Sequence, residues 1–345
     1  MRQQILITGG AGYVGSHLCV TLHDAGYEPI IIDNFSNSYK DTPDKIGQII
    51  GHNIVSIEGD IRDYNLLDSI FSQYNISAVI HCAALKSVNE SIHKPIEYYD
   101  NNVAGSISLI KAMQKHQVQT LIFSSTTAVY GSTEKMPLTE KCERSALNPY
   151  GHSKIMMEDI FIDLSDLDSD LDHSENNNWK IGILRYFNPV GAHDSYLIGE
   201  NPLKAPSNIM PNIIKVANGE LENLSVYGND YDTKDGTCIR DYIHIMDLVG
   251  GHVEVLKYLE NKSGKELYIT NLGTGKATSV LELINIFAKA NNVDVPYKIS
   301  PRREGDIAIN YANPSYAEKT LNWQAKRTVE DMCRSAWLFY KERKQ

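Results

Sequence analysis

The sequence predicts an α/β fold in which a doubly wound parallel sheet is followed by a smaller C-terminal domain. Short apolar runs rich in Ile and Val alternate with helical segments through the first half of the chain. These runs lack an exposed polar face, which is typical of parallel strands covered by helices on both sides. A chain of 345 residues is also too long for one compact core, so a second domain is expected.

The predicted strands and helices follow one another in regular order. The strands are QQILITGG, EPIIIDN, HNIVSIEGD, SAVIHCAA, QTLIFSS and KIGILRYFNPVGAH. The helices between them are GSHLCVTLHDAG, NLLDSIFSQY and a long one around EYYDNNVAGSISLIKAMQKH. We interpret the acidic segment at 165–180 as a solvated surface insertion. From about residue 190 the loops lengthen, which predicts one domain at 1–190 and another at 191–345. The second domain is expected to consist largely of binding loops. Some of its segments are expected to pack back on the first domain.

Composition excludes several classes of protein. A net charge of -10 gives no electrostatic reason to expect a nucleic acid partner. No apolar run approaches the ~20 residues that a membrane span needs, so no membrane partner is expected. The 5 cysteines are scattered without a CxxC pair. This pattern argues against a metal site or a disulfide framework and suits a reducing cytoplasm.

A glycine-rich turn connects the first predicted strand to the first predicted helix. It contains Gly9, Gly12 and Gly15, which permit a tight turn and close approach of a pyrophosphate to the helix N-terminus. Asp33 ends the second strand and would accept hydrogen bonds from an adenosine ribose while repelling a 2′-phosphate. The pattern predicts a Rossmann-type dinucleotide site that prefers NAD to NADP. The alternative for Asp33 is a turn residue before Asn34.

Tyr150 and Lys154 lie four residues apart at the start of a predicted helix, LNPYGHSKIMMEDIF. Side chains with this spacing share a helix face. An ammonium near a phenol favours the phenolate, so Tyr150 is expected to exchange a proton below its ordinary pKa of about 10. The alternative is a solvated stripe on an amphipathic helix.

Several longer motifs carry a resemblance to a known family. The segments TGGAGYVG, HCAALKSV, FSSTTAVYG and NPYGHSK are similar to those of the extended short-chain dehydrogenase/reductases. With LRYFNPVGAH, YGNDYDTKDGTCIRDYIH and PRREGD, the chain resembles the UDP-glucose (UDP-galactose) 4-epimerases over nearly its whole length. The resemblance implies reversible 4-epimerisation of a UDP-hexose through a 4-keto sugar, with tightly bound NAD, in a cytoplasmic homodimer.

The same resemblance implies roles for individual residues. Tyr150 would be the acid/base, Lys154 would bind the nicotinamide ribose, and Thr126, where the family usually has Ser, would hold the sugar 4-hydroxyl. The implied cofactor-binding residues are Gly9, Gly12, Tyr13, Val14, Gly15, Asp33, Asn34, Asp60, Ile61, Cys82, Ala83, Ala84, Lys86, Asn101, Tyr150, Lys154 and Phe187. For Cys82 and Ala83, packing in a core strand is an equally open interpretation.

Substrate recognition needs a local basic cluster because the chain as a whole is acidic. Arg240 and Arg303 each offer a planar guanidinium to diphosphate oxygens. The implied substrate-binding residues are Thr126, Tyr150, Asn188, Asn208, Ser225, Val226, Tyr227, Arg240, Arg303, Asp306 and Asn310.

Three other functions compete with that of an epimerase. A nucleotide-sugar 4,6-dehydratase needs an Asp-Glu pair after the hydroxyl residue, where this chain has Thr127 and Ala128. A nucleotide-sugar decarboxylase shares the N-terminal half, but GNDYDTKDGTCIRDYIH favours the epimerase. A non-catalytic NAD-binding sensor would not need Tyr150 and Lys154.

Substrate breadth depends on Asn310. In the family a Tyr at the matching position is associated with excluding N-acetylated sugars, and a small residue with admitting them. Asn310 leaves more room, and its amide could hydrogen-bond an acetamido group. The alternative is that Asn310 only turns the chain, or that Tyr311 fills the space.

Overall fold

The fold is described from a computed structural model, which covers residues 2–133, 135–166, 178–204, 206, 208–303 and 305–343. Most of the predicted acidic insertion at 165–180, namely 167–177, lies outside the described residues. Among the described residues, no helix is both long and apolar enough to cross a membrane.

The first half alternates strands and helices as the sequence predicts. Its elements are β1 Gln4–Thr8, α1 Tyr13–Asp24, β2 Glu28–Asp33, α2 Thr42–Ile50, β3 Val55–Glu58, α3 Tyr64–Gln73, β4 Ile76–His81, α4 Val88–His93, α5 Pro95–Tyr98, a π-helix Tyr99–Ala104, α6 Gly105–Lys115, β5 Thr120–Thr126, a 3₁₀ turn Thr127–Tyr130, α7 Pro149–Asp166 and β6 Lys180–Tyr186.

The second half contains more regular structure than its sequence suggests. Its elements are β7 Asn188–Val190, α8 Ile209–Ala217, β8 Leu224–Tyr227, β9 Ile239–Arg240, β10 Tyr242–His244, α9 Ile245–Glu260, β11 Glu266–Leu272, β12 Thr278–Ser279, α10 Val280–Asn291, β13 Tyr297–Ser300, β14 Ile309–Asn310, α11 Ser315–Leu321 and α12 Val329–Arg343.

A seven-stranded sheet forms the centre of the fold, in the order β11-β6-β5-β4-β1-β2-β3. The pairs β1·β2, β1·β4, β2·β3 and β4·β5 are parallel. The predicted α/β class with a parallel central sheet is therefore confirmed. Chain order reverses between β1 and β4, and ligands bind at such a switch point in open α/β sheets.

Burial explains why the strands form. Leu6, Ile30, Val79 and Phe123 come from four neighbouring strands and are fully buried in one apolar core, which also contains Phe161 of α7. Because helices cover both faces of the sheet, consecutive side chains of a strand are buried, and the strands need no alternation of apolar and polar residues.

The predicted long helix around EYYDNNVAGSISLIKAMQKH differs from the structure. It is divided into α5, the π-helix and α6. Within the π-helix, the buried Asn102 donates from Nδ2 to the Leu85 carbonyl at 3.0 Å and accepts from the Leu85 amide at 2.8 Å. Periodicity cannot reveal this interruption, since it depends on hydrogen bonds to a distant loop.

The chain divides into two compact units. The first comprises Met1–Gly131, Glu143–Arg185 and Gly250–Thr270, and the second Ser132–Cys142, Tyr186–Val249 and Asn271–Gln345. Within the second unit, an apolar core joins α8, β8, α10 and α12. The expectation that the second domain consists largely of binding loops stays a prediction, and the elements named above give these loops a core of their own. The domain boundary at residues 190 and 191 stays a prediction.

Candidate active site

The glycine turn after β1 is built for close backbone contact. Gly9 has φ of +67°, and a side chain there would lie 2.9 Å from the backbone of Ala83. A Cβ at Gly15 would lie 2.2 Å from the Gly9 carbonyl oxygen, whereas one at Gly12 meets that oxygen at 3.2 Å. The turn therefore requires glycine at 9 and 15, and it presents the N-terminus of α1, which starts at Tyr13.

Asp33, at the end of β2, fixes the neighbouring loops. Its Oδ2 accepts from the Ala11 amide at 3.0 Å, and its Oδ1 accepts from the Phe35 amide and the Ser38 hydroxyl, both at 2.8 Å. The carboxylate thus holds the glycine turn next to the loop after β2. Asn34 lies beside it and donates to Asp60 Oδ2 at 3.0 Å.

The turn after β4 lies directly against the glycine turn. The Cys82 amide donates to the Thr8 carbonyl, and the Ala83 amide donates to Thr8 Oγ1, both at 3.1 Å. The Cys82 thiol is 3.1 Å from the hydroxyl of Ser124. These contacts place Cys82 and Ala83 at the switch point between β1 and β4, so packing and cofactor contact are compatible there.

Other predicted cofactor residues surround this edge of the sheet. Asp60 accepts from Arg62 through both carboxylate oxygens, at 2.9 and 2.8 Å, and these bonds hold its pKa well below the usual range. Asn101 donates to Asn102 Oδ1 at 3.0 Å within the π-helix. Ile61 is buried. The remaining members are helical Val14, partly buried Ala84 and exposed Lys86.

The turn and its surroundings fit a dinucleotide. The glycines leave space that a Cβ would fill, and the carboxyl ends of β1, β2, β4 and β5 are neighbours in the sheet. Asp33 supplies a carboxylate where an adenosine ribose would lie, and the α1 N-terminus supplies amides for phosphate.

The proposed catalytic residues converge at the end of β5. Thr126 is the last residue of β5, and its side chain lies close enough to the phenol of Tyr150 to lower the pKa of that phenol. Lys154, almost fully buried, donates from Nζ to the Ser124 carbonyl at 2.8 Å and lies 4.5 Å from the Phe123 ring centroid. The helix carrying both begins at Pro149, where Asn148 Oδ1 accepts from the Gly151 amide at 2.9 Å.

The predicted low pKa of Tyr150 is wrong for the protein without its cofactor. Burial raises the pKa of Tyr150 to about 12, against the opposing effect of the Thr126 hydrogen bond. Burial also lowers the pKa of Lys154 to about 8, while the neighbouring Cys82 and Glu158 favour its ammonium form. Sequence spacing indicates which groups are near each other, but it does not reveal that the protein removes water from both.

Two important residues were missed from the sequence. Glu158, four residues after Lys154, is fully buried and accepts from Arg185 Nη2 at 2.6 Å. It also accepts from the hydroxyl of Ser125 at 2.5 Å. The continued spacing of four residues from Tyr150 to Glu158 was the available signal, but its partner on β6 is distant in sequence.

In the second unit, three predicted substrate residues lie together. Arg303 donates from Nε to Asp306 at 2.9 Å, and its guanidinium lies 4.6 Å from the ring centroid of Tyr227. Tyr227 ends β8, whose Ser225 side chain is exposed and whose Val226 side chain is buried in the core. The Val226 side chain therefore packs in the core.

A second group forms around β9. Arg240 is the register partner of Asn310 on β14, and its Nη1 donates to the Ile239 and Ile307 carbonyls at 2.8 and 2.7 Å. The Asn188 amide donates to the Asp241 carbonyl at 3.0 Å. Asp241, which the sequence did not single out, is buried and accepts from the amides of Thr274, Gly275 and Ala312.

The other two predicted residues lie elsewhere in the second unit. Asn208 precedes α8 and donates to Glu200, and Phe187 is buried, with its amide bonded to the Leu272 carbonyl at 3.2 Å. In the described part of the chain, no group of three or more His, Cys, Asp or Glu side chains is arranged to hold a metal ion.

The fold and the glycine turn define a Rossmann-type, dinucleotide-binding α/β protein. A family profile described as GDP-mannose 4,6 dehydratase matches residues 6–336. The UDP-glucose 4-epimerase of Bacillus subtilis (strain 168) is 47% identical over 333 residues, which cover 96% of this chain and 95% of that protein.

Solved structures of UDP-glucose 4-epimerases are similar to this chain over nearly its full length. UDP-glucose-4-epimerase from Stenotrophomonas maltophila, with bound NAD and formylated UDP-arabinopyranose, has a TM-score of 0.94 and 43% identity, with 99% of each chain covered. The Bifidobacterium longum enzyme, in complex with NAD+ and UDP, has a TM-score of 0.92 and 45% identity, covering 99% of this chain and 98% of that one. The chain belongs to the UDP-glucose 4-epimerases of the extended short-chain dehydrogenase/reductase family, which confirms the resemblance found in the sequence.

Proposed function

We propose that the protein interconverts UDP-galactose and UDP-glucose by reversible inversion at carbon 4, through a transient 4-keto sugar. The observation that carries this proposal is the convergence of Tyr150, Thr126 and Lys154 at the end of β5, in the same unit as the glycine turn. When bound, NAD supplies a reversible hydride acceptor.

The residues of the chain handle the proton and the sugar. Tyr150 takes the 4-hydroxyl proton and later returns it, while Thr126 holds the same hydroxyl. Lys154 binds the nicotinamide ribose, and its ammonium favours the Tyr150 phenolate. Because burial, against the opposing effect of Thr126, raises the pKa of Tyr150 to about 12, the positive charge of bound NAD+ is needed to bring that pKa toward neutrality.

The second unit would bind the UDP part of the substrate. Arg240 and Arg303 offer guanidinium groups to the diphosphate, and Tyr227 offers an exposed aromatic ring. Arg303 is paired with Asp306 and would exchange part of that ion pair for the diphosphate. If the protein holds UDP firmly and makes few contacts with the sugar, the 4-keto sugar can rotate between the two half-reactions and present its opposite face to the cofactor.

The test is an assay of the purified protein with UDP-galactose and no added cofactor. We expect UDP-glucose to form without net NADH. The family profile carries the name of a dehydratase, so formation of a 4-keto-6-deoxy sugar is the informative alternative product. Thr127 and Ala128 do not supply the proton transfers that such a product requires. Net NADH release, or strict dependence on added NADP, would contradict the proposal.

Substrate breadth is the finer part of the proposal. Asn310 lies in β14 rather than in a turn, is buried, and its Oδ1 has no hydrogen-bond partner among the described residues. An acetamido N–H at carbon 2 of a sugar would satisfy this oxygen. We therefore expect the protein also to interconvert UDP-N-acetylglucosamine and UDP-N-acetylgalactosamine.

Two variants separate space from hydrogen bonding at Asn310. Asn310→Tyr should suppress turnover of the acetylated sugars while sparing the plain ones. Asn310→Ser keeps the space but shortens the polar group, and should lower kcat/KM for acetylated sugars by roughly 10-fold. A wild-type kcat/KM for the acetylated pair about a thousandfold below that for the plain pair would rule out this extension.

A homodimer is the proposed assembly. Ile92 of α4, Ile96 of α5 and Met156 of α7 are exposed, with Ile96 76% accessible, and α4 and α5 both pack against α7. Exposed apolar side chains concentrated on adjoining helices mark an interface. Ile96→Asp should convert a particle of twice 38.7 kDa to a monomer in light scattering, and Leu221→Asp, in the second unit, should not. A monomeric wild type would contradict the assembly.

The cytoplasm is the proposed location. All five cysteines are free thiols, and three of them are buried. Fractionation of the native cells, with recovery of the protein beside a cytosolic marker, tests this assignment.

A further inference from the structure

A buried ion pair between Glu158 of α7 and Arg185 of β6 lies beside the end of β5. Glu158 Oε1 and Oε2 accept from Arg185 Nε at 3.0 and 3.2 Å, and Oε2 also accepts from Arg185 Nη2 at 2.6 Å. Glu158 is fully buried and Arg185 is 3% exposed. Burying two charges is costly unless their geometry and their other hydrogen bonds are good, so such a pair calls for an explanation.

The pair connects the elements that carry the proposed catalytic residues. Glu158 lies on α7, one turn beyond Lys154, and accepts from the Ser125 hydroxyl at 2.5 Å. Ser125 stands between Ser124, whose carbonyl accepts from Lys154, and Thr126. Arg185 donates to the Tyr130 hydroxyl at 3.2 Å, at the end of the 3₁₀ turn that follows Thr126. The chain is therefore held on both sides of Thr126.

We propose that Glu158 and Arg185 are positioning residues for the reaction: they fix the Tyr150–Lys154 face of α7 against Thr126 and set the charge around Lys154. This inference deepens the proposed function and rests on it. The exposed neighbour Asp159, which pairs with Arg144 at 2.6 Å, belongs to the outer face of the same helix and has no such role.

Several titratable or charged groups surround Lys154. These groups are Tyr150 and Glu158 on α7, His81 and Cys82 at the end of β4, and, beyond Glu158, Arg185 on β6 and Arg144. Cys82 and Glu158 both favour the ammonium form of Lys154. Arg185 at 2.6 Å and Arg144 at 3.4 Å both balance Glu158. Removing Glu158 therefore leaves an excess of positive charge, and removing Arg185 leaves Glu158 with Arg144 alone, which is a shift toward negative charge.

The two neutralising variants should therefore act in opposite directions. Glu158→Gln leaves Arg185 positive, which lowers the pKa of Lys154, so the alkaline limb of kcat moves down by roughly one pH unit. Arg185→Gln leaves Glu158 negative and moves the same limb up. Both variants should lower kcat by roughly 10- to 100-fold, because the face of α7 is displaced. Asp159→Asn, the matched control, should change neither.

A measurement without turnover separates this proposal from the epimerase assignment. The Nζ resonance of Lys154 in ¹⁵N-lysine-labelled protein, assigned with Lys154→Met, should titrate at lower pH in Glu158→Gln and at higher pH in Arg185→Gln. Titration at the wild-type pH in both variants would overturn the charge role, whichever substrate the enzyme takes.

A milder variant covers the case in which an unpaired buried charge prevents folding. Ser125→Ala keeps both charges and removes only the hydrogen bond to the strand. It should lower kcat by roughly 3- to 10-fold with NAD content and the alkaline limb unchanged. Wild-type kcat in Ser125→Ala would overturn the positioning role.

Discussion

The proposed catalytic group of the first unit and the Arg303 group of the second unit hold their charges in contrasting ways. In the first unit, Lys154, Glu158 and Arg185 are buried, and each is fixed by hydrogen bonds to a strand or to another charge. In the second unit, Arg303 is exposed, with Asp306 and Tyr227 as its partners. We infer from the contrast that the groups proposed for proton transfer are fixed by the fold in advance, whereas Arg303, the proposed diphosphate ligand, keeps side-chain freedom until the ligand arrives.

The largest effect on the buried catalytic group proposed in the first unit is expected from Tyr150→Phe. This change removes one oxygen and keeps the ring, so folding and NAD binding should persist. Because a positioned acid/base contributes about 100- to 10,000-fold, kcat should fall by that factor. Epimerase assays and bound-NAD content measure the two effects. Near-normal turnover would restore the interpretation of a solvated stripe.

The glycine turn offers the next largest effect. Gly15→Ala places a Cβ 2.2 Å from a carbonyl oxygen, and the backbone must move to admit it. We expect a loss of roughly 1–3 kcal/mol in the free energy of unfolding, together with a lower content of bound NAD.

The matched control for the glycine turn is Gly264→Ala, where a Cβ would meet nothing within 4 Å. Denaturant unfolding and absorbance of released NAD report on both variants. If the two alanine variants behaved alike, the close approach at Gly15 would not be needed for the cofactor.

Substitutions at the exposed Arg303 group of the second unit should change substrate binding rather than the chemical step. Arg303→Ala should raise KM for UDP-galactose by roughly 10-fold while leaving kcat within about threefold, because a charged hydrogen bond to the diphosphate is lost. Its neighbour Arg302, which pairs with Asp230 at 2.7 Å and stacks 4.0 Å from the Tyr231 ring centroid, is the matched control. A kcat effect in Arg303→Ala that exceeds the KM effect would remove the distinction between the units.

The last of these predictions concerns the pH dependence of stability. His81 is buried between the Thr8 and Ser106 hydroxyls, at 2.7 and 2.8 Å, and burial lowers its pKa to about 3. The unfolded chain binds a proton near pH 6.5 that the folded protein does not, so stability is present above that pH and is lost as pH falls toward 3. Between pH 7 and 5 this loss is about 2 kcal/mol.

Urea unfolding at pH 7 and pH 5 measures the loss of stability. His81→Gln keeps a polar side chain but cannot titrate in this range, so its stability should change less between the two pH values. An equal change in the variant and the wild type would show that His81 is not responsible.

Local patterns predict the parts of the molecule that depend on neighbouring residues. The strand, glycine turn and helix around Gly9 to Gly15, and the shared face of Tyr150 and Lys154, follow from spacing alone. The π-helix, the Glu158–Arg185 pair and the buried Asp241 depend on partners from distant strands and loops, which periodicity does not reveal. The direction of the shift in the Tyr150 pKa is not predicted from the sequence for the same reason, since desolvation is a property of the assembled fold.

The most direct test of the account is the fate of a deuterium label at carbon 4 of UDP-galactose. A closed cycle on a bound cofactor predicts that the UDP-glucose formed retains the label at carbon 4, with none entering an excess of added NAD+. Retention is measured by mass spectrometry of the product hexose. Loss of the label to solvent, or its appearance in free NADH, would contradict the proposed reaction.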